Sequence, residues 1–290
     1  MKAKLLKGFR DYSSREMLAR QDMMSDIEDV FRDFGYGPLS TPALEYTEIL
    51  TGKYGEEGDK LLYRFLDNGK RDVALRYDLT VPLARHIGTN KQQKMPFRRF
   101  AMAPVWRAER PQKGRFREFM QCDADLVGAD TPEADAEIIL IGCTLMEQFN
   151  LSDYIINLSH RGVLDGLMDA MEVEEDKKLS VIRILDKARK ISEDNLRKEL
   201  AGLGLEEASL DTFFKFISIT GTNEQRLTQA RAIAGQGLPG ARALRRLTDI
   251  IALLDACDLG ARIVFDPTIA RALAYYTGAI YETLLSDNPQ

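Results

Sequence analysis

Cysteine, histidine and tryptophan are scarce in this 290-residue chain, which has three, two and one of them. Cys122, Cys143 and Cys257 are odd in number and far apart. That excludes a disulfide framework and points to reduced thiols and a cytoplasmic location. With only His86 and His160 beside them, no spacing suits zinc, and no metal site is expected in the chain itself. No apolar run approaches the ~20 residues of a membrane helix. The basic start, Met1 to Ser14, lacks the apolar stretch of a secretory signal, so no membrane association is expected. The glycine-rich phosphate cradles are missing, and so is the serine-nucleophile elbow. A nucleotide, if bound, must be held by side chains. The net charge of −5 gives no general attraction to nucleic acid, so any such contact must be local.

Charge is present in one unusual arrangement. From Lys94 to Arg117 there are eight Lys or Arg and one acid, Glu109. From Glu118 to Glu137 there are seven acids and no Lys or Arg. Apolar residues alternate in both stretches, so Arg99 to Arg107 and Glu118 to Val127 read as two strands of a hairpin, with Pro111, Lys113 and Gly114 in its loop. A hairpin cationic on one arm and anionic on the other can hold a polyanion and a cation side by side. Arginine suits the first task, because its planar fork pairs with two phosphate or carboxylate oxygens at once; Arg107, Arg115 and Arg117 lie on or beside the hairpin. Asp123 and Asp125 are two apart and share a sheet face. Together with Asp78 and Glu118 they offer carboxylates for an ammonium group or a metal, or for a plain solvated face. Cys122 reads as a half-buried strand thiol and His160 as a turn residue.

The rest of the chain reads as an α+β protein interrupted by an all-α excursion. Residues 14 to 34 form an amphipathic helix capped by Ser13 or Ser14 and stopped by Gly35 and Gly37. Pro38 to Glu45 is extended. Leu61 to Leu66 and Asp72 to Tyr77 form a hairpin around Asn68-Gly69. Thr80 to Ile87 and Thr131 to Phe149 are helices, each with a proline in its first turn. Tyr154 to Leu158 is a strand. From Leu164 to Cys257 the pattern is helical, with breaks near Gly202 to Gly204, Gly221 to Asn223 and Gly235 to Gly240. Strand character returns at Ala261 to Phe265 and Tyr275 to Leu285. The expected division is 1–163 with 258–290 as a core, and 164–257 as a helical insertion.

Five stretches in order resemble the histidyl-tRNA synthetase family of class II. Gly8-Phe-Arg-Asp11 is similar to its N-terminal signature. Thr41-Pro42-Ala-Leu-Glu45 resembles motif 1, the dimer-interface motif, around Pro42. Leu75-Arg-Tyr-Asp-Leu-Thr-Val-Pro82 resembles its histidine-site strand. Arg107-Ala-Glu-Arg-Pro-Gln-Lys-Gly-Arg-Phe-Arg-Glu-Phe119 resembles motif 2. Phe265-Asp-Pro-Thr-Ile-Ala-Arg-Ala-Leu-Ala-Tyr-Tyr-Thr-Gly278 resembles its second histidine motif, with Ala272 and Ala274 where the family commonly has glycine and often an acid.

The resemblance implies a class II synthetase-like antiparallel sheet flanked by helices, with an all-α insertion domain. It implies a histidine–tRNA ligase that joins histidine to ATP as histidyl-adenylate and passes it to tRNA(His). It also implies a cytoplasmic homodimer using ATP with Mg2+. Arg107 and Arg271 would be the catalytic cations. Glu109, Arg115 and Phe119 would join Arg107 in binding ATP. Asp78, Thr80, Gln121, Asp125, Arg271, Tyr275 and Tyr276 would bind histidine. The sequence ends at Gln290, before the family's motif 3 and anticodon-binding domain, so a truncated catalytic domain is expected. The alternative is a non-catalytic, histidine-sensing regulatory subunit of ATP phosphoribosyltransferase. Such paralogues usually lose the arginines and the tyrosine pair that stand here at Arg107, Arg271, Tyr275 and Tyr276.

Overall fold

A computed structural model of the chain describes residues 3–52, 59–270 and 276–285. The chain forms two compact units: one from 1–130 with 141–148, the other from 131–140 with 149–290.

In the first unit, helix Ser14–Asp33 begins where expected. Ser13 Oγ accepts from the Glu16 backbone, and the Glu16 carboxylate accepts from the Ser13 backbone at 2.7 Å. This reciprocal pair satisfies two amides the helix leaves open. The helix ends at Gly35, whose φ of +78° suits a residue with no side chain. Two three-stranded sheets follow. In the first, β1 (Gly37–Pro38) runs parallel to β5 (Phe97–Trp106), which pairs antiparallel with β6 (Glu118–Val127). In the second, β4 (Asp72–Leu75) lies between β2 (Leu44–Tyr46) and β3 (Arg64–Leu66), antiparallel to both. Phe31 of the helix packs on Phe100 of β5, ring centroids 5.2 Å apart.

Two expectations change in detail. The extended stretch before β3 is not all strand. Leu61 instead accepts from the Ala108 backbone at 2.8 Å, tying the chain to the root of the long hairpin. The Asn68-Gly69 turn exists, but Lys70 takes the left-handed conformation, φ 59°. Asp67 accepts from Lys70 N and donates to Arg71 O, so the loop is one residue longer than the two-residue type. The long hairpin and helix Thr80–Thr89 form as read.

In the second unit β7 (Tyr154–His160) is the central strand, parallel to β8 (Ile263–Phe265) and antiparallel to β9 (Ala279–Leu285). It is buried along most of its length, Tyr154, Ile156 and Leu158 on one face and Asn157 and Ser159 on the other. His160 does more than turn the chain: its Nδ1 accepts from Gly162 N at 3.0 Å and caps helix Arg161–Ala170. Five more helices follow, Glu175–Leu185, Glu193–Ala201, Glu207–Ile217, Asn223–Ala234 and Leu238–Asp255. They close on Leu164, Leu167, Phe213, Phe216, Leu244 and Leu247, all fully buried. The helical stretch thus clusters in one compact unit with the sheet β8-β7-β9. Helix Pro132–Gln148 starts at Thr131, whose hydroxyl accepts from Ala134 N.

Candidate active site

The register of the long hairpin builds the site. Phe119, Gln121, Asp123 and Asp125 share one face of β6, and their partners on β5 are Val105, Ala103, Ala101 and Arg99. Alanines opposite Gln121 and Asp123 leave that face without bulk. Carboxylates and a guanidinium gather at one end of it, and Arg107 stands at the other.

At the acidic end, Arg99 is buried to 1% exposure. Its Nη2 lies 2.7 Å from Asp125 and 3.9 Å from Asp123, and it also donates to the Leu79 carbonyl at 3.2 Å. Gln121 donates to both Asp123 oxygens at 3.0 Å. Asp78 is buried, and its carboxylate accepts from Val81 N at 3.0 Å, fixing the start of helix Thr80–Thr89. Burial pushes Asp125 up to about 6, against the pull of Arg99, with Asp123 and Asp78 adding to the rise. Burial also raises Asp123, opposed by Gln121, Arg99 and Arg107. Three carboxylates around one buried guanidinium leave an excess of negative charge, which suits a ligand's ammonium or imidazole N–H.

At the cationic end, Arg107 donates to the Tyr77 carbonyl at 3.2 Å. Its guanidinium lies 4.4 Å from the Tyr77 ring and 4.9 Å from the Phe119 ring. Two aromatic contacts and one hydrogen bond hold it in place before any ligand arrives. Tyr77 donates to Glu109 at 3.3 Å. Arg117 donates to the Glu109 carbonyl at 2.9 Å, and its backbone N–H donates to Gly8 O at 2.7 Å. The Gly8 segment therefore lies against Arg117. A Cβ on Gly8 would come within 2.8 Å of that side chain, and its φ of +89° suits glycine as well.

The hairpin thus brings together Arg107, Glu109, Phe119, Gln121 and Asp125, and the β4 segment adds Asp78 through Leu79. Phe119, expected to bind ATP, lies against Arg107. Arg115 is exposed in the loop, where its backbone pairs with Gln112. Thr80 is exposed in the first helical turn, and Pro42 is exposed beside β2. Cys122 is exposed, not half-buried, on the opposite face of β6. Arg271 and Tyr275 lie outside the described residues. In the second unit Tyr276 lines a cleft of about 310 Å³ with Arg161, Asp165, Glu175 and Lys178. The described start of that motif is well held. The Asp266 carboxylate accepts from Thr268 N and Oγ1 at 2.9 and 2.6 Å and pairs with Arg189. The Asn223 side chain brackets β8, donating to Ile263 O and accepting from Phe265 N, both at 2.8 Å. Arg99 and Tyr77 are the site residues that sequence reading missed. Arg99 becomes identifiable only once the exact register is known, which sets it opposite Asp125.

A sequence profile described as histidyl-tRNA synthetase matches residues 8–290. The histidine–tRNA ligase of Treponema denticola is 42% identical over 99% of this chain and 64% of its own length. That of Rhodopirellula baltica is 41% identical over 98% of this chain and 65% of its own length. The chain therefore spans a little under two thirds of these curated relatives. Among solved structures, histidyl-tRNA synthetase from a Nostoc species matches with a TM-score of 0.88 at 28% identity, over 99% of this chain and 66% of that one. A Bacillus halodurans protein described as an ATP phosphoribosyltransferase regulatory subunit/histidyl-tRNA synthetase shares the fold, with a TM-score of 0.87 at 23% identity over 100% and 75%.

Proposed function

Because this chain belongs to the histidyl-tRNA synthetase family and has its class II fold, we propose that it is the catalytic-domain part of a histidine–tRNA ligase. The observation that carries this reading is the split charge of one sheet face. Arg107 stands at one end, and Asp78, Asp123 and Asp125 gather at the other. An amino acid laid along that face puts its carboxylate toward Arg107 and its cationic groups toward the acids.

In the proposed reaction a histidine carboxylate oxygen attacks the α-phosphorus of ATP in line. The bond to the β-phosphate oxygen breaks, and pyrophosphate leaves with its electron pair. Arg107 holds the carboxylate and the α-phosphate together and offsets charge on the transferring group. Glu109 and Arg115 serve the nucleotide, and Phe119 stacks on adenine. Asp78, Thr80, Gln121 and Asp125 take the histidine, with Arg271, Tyr275 and Tyr276 from the second motif. Magnesium enters with ATP. Its ligands would be largely phosphate oxygens and water. A hydroxyl of the terminal ribose of tRNA(His) then attacks the carbonyl carbon of the adenylate, the ester forms, the acyl–phosphate bond breaks and AMP leaves. The further proposals are a homodimer formed around Pro42, a cytoplasmic location, and 164–257 as an insertion domain. Among the described residues no helix is long and apolar enough to cross a membrane.

The test is histidine-dependent ATP–pyrophosphate exchange on this chain. Exchange with histidine alone among the amino acids is expected. Histidine binding without exchange would favour a histidine-sensing regulatory subunit instead. Gln121→Ala is expected to weaken histidine binding by roughly tenfold or more, the worth of a hydrogen-bonding group beside a charge, and to leave ATP binding nearly unchanged. Equal losses for both ligands would remove Gln121 from the amino-acid site.

A further inference from the structure

Arg99 raises a question that the reaction above does not answer. An arginine almost without solvent exposure sits at the acidic end of the ligand-binding face, opposite Asp125. Its position is set by two partners, both met from Nη2: Asp125, opposite in register and 2.7 Å away, and the Leu79 carbonyl at 3.2 Å. Lysine could supply the charge, but not from a planar, rigid group.

We propose that Arg99 is a positioning residue for the amino-acid substrate, which holds the Asp123–Asp125 carboxylate pair in place and charged through an ion pair on the same face. The proposal rests on reading this face as the histidine site. It deepens that reading by assigning the recognition of the ligand's cationic end to a buried ion pair and not to the carboxylates alone.

The charges around Asp125 make the need clear. From its own strand it faces Asp123. From β5 it faces Arg99. From the segment before helix Thr80–Thr89 it faces Asp78. Arg107 acts on the neighbouring Asp123, and Gln121 donates to that carboxylate. Burial and two like charges all favour a protonated Asp125, and Arg99 is the cation that opposes them. With that charge removed the protonated form gains, so the Asp125 midpoint must move to higher pH. A neutral Asp125 at physiological pH would present a weaker acceptor to an imidazolium or ammonium group.

The experiment uses the whole chain with Arg99→Met and Arg99→Lys. The Asp125 midpoint is read without ligand by carboxyl-carbon NMR titration, the resonance being assigned with Asp125→Asn. L-histidine and ATP affinities are read by calorimetry at about pH 7.5, above the titration of histidine's own imidazole. In Arg99→Met the midpoint is expected to rise by about two units or more, leaving Asp125 mostly protonated at the pH of the affinity measurement. Histidine affinity is expected to fall by roughly threefold or more, with ATP affinity within about twofold. Arg99→Lys is expected to restore the midpoint but only part of the histidine affinity. An unmoved midpoint in Arg99→Met, or wild-type histidine affinity in both variants, overturns the proposal. If Arg99→Met does not fold, Arg99→Lys decides: selective loss of histidine affinity supports the proposal and full affinity refutes it. A chain that binds no histidine but shows the shifted midpoint would refute the histidine assignment and keep the charge-setting role. The converse result would refute the role and keep the assignment.

Discussion

Arg107→Ala is expected to lower histidine-dependent pyrophosphate exchange by on the order of a hundredfold to a thousandfold, the cost of removing one pre-set donor from a charged transition state. The fold should survive. The guanidinium makes one hydrogen bond, to Tyr77 O, and two ring contacts. It is only partly buried, so its loss leaves no unpaired buried charge. The ground-state affinity for ATP should fall far less than the rate, because the guanidinium is placed where the carboxylate and the phosphorus meet. Arg107→Lys separates charge from shape. The ammonium keeps the positive charge but cannot lie flat between Tyr77 and Phe119, so it should recover only a small part of the lost rate. A rate within about tenfold of wild type for Arg107→Ala would move the catalytic centre away from this hairpin. Losses confined to KM would make Arg107 a binding residue only.

Much of this site was legible because strands have a period of two. Once Glu118 to Val127 reads as a strand, Gln121, Asp123 and Asp125 must share a face, and they do. The basic and acidic arms were visible as composition, and the turn residues between them showed that they pair. Arg99 was hidden for a reason of register. Arg98 and Arg99 are adjacent and point to opposite faces, so choosing between them needs the exact partner across the ladder, which depends on loop length. The stacking of Arg107 between Tyr77 and Phe119 was hidden for another reason. Tyr77 lies in the connection after β4, outside any strand, and strand alternation says nothing about where such a residue packs. Lys70 shows a local limit: Asn-Gly correctly marked the turn, but the hydrogen bonds of Asp67 chose the residue that takes positive φ. In the helical stretch, glycines were read as punctuation. Gly202 and Gly204 do lie at or just beyond the end of helix Glu193–Ala201. Gly162, Gly166 and Gly240 lie inside helices, where a glycine costs about 1 kcal/mol unless something needs its absent side chain.

Something does, and it gives the largest expected effect on stability. Helix Arg161–Ala170 and helix Leu238–Asp255 meet at Gly166 and Gly240, with the carbonyl of Ala234 wedged against both. A Cβ on Gly240 would lie 1.7 Å from that oxygen and 3.2 Å from Gly166 Cα, and one on Gly166 would lie 2.2 Å from the same oxygen. Neither glycine has a positive φ, so the requirement is space and not backbone freedom. The obstacle is backbone at the end of helix Asn223–Ala234, which cannot swing aside as a long side chain would. Gly240→Ala is therefore expected to destabilise the second unit by about 3 kcal/mol or more, at the upper end for overpacking, even though alanine is the better helix former. Gly88→Ala provides the control. It lies in helix Thr80–Thr89, exposed, and its Cβ would meet nothing within 4 Å, so propensity alone should act and stabilise by roughly 0.5–1 kcal/mol. Urea titrations followed by circular dichroism compare the two directly. Opposite signs would establish that the three helices are locked by backbone contact at this crossing. If Gly240→Ala unfolds at the wild-type midpoint, the Ala234 turn yields freely and the glycines carry no packing role.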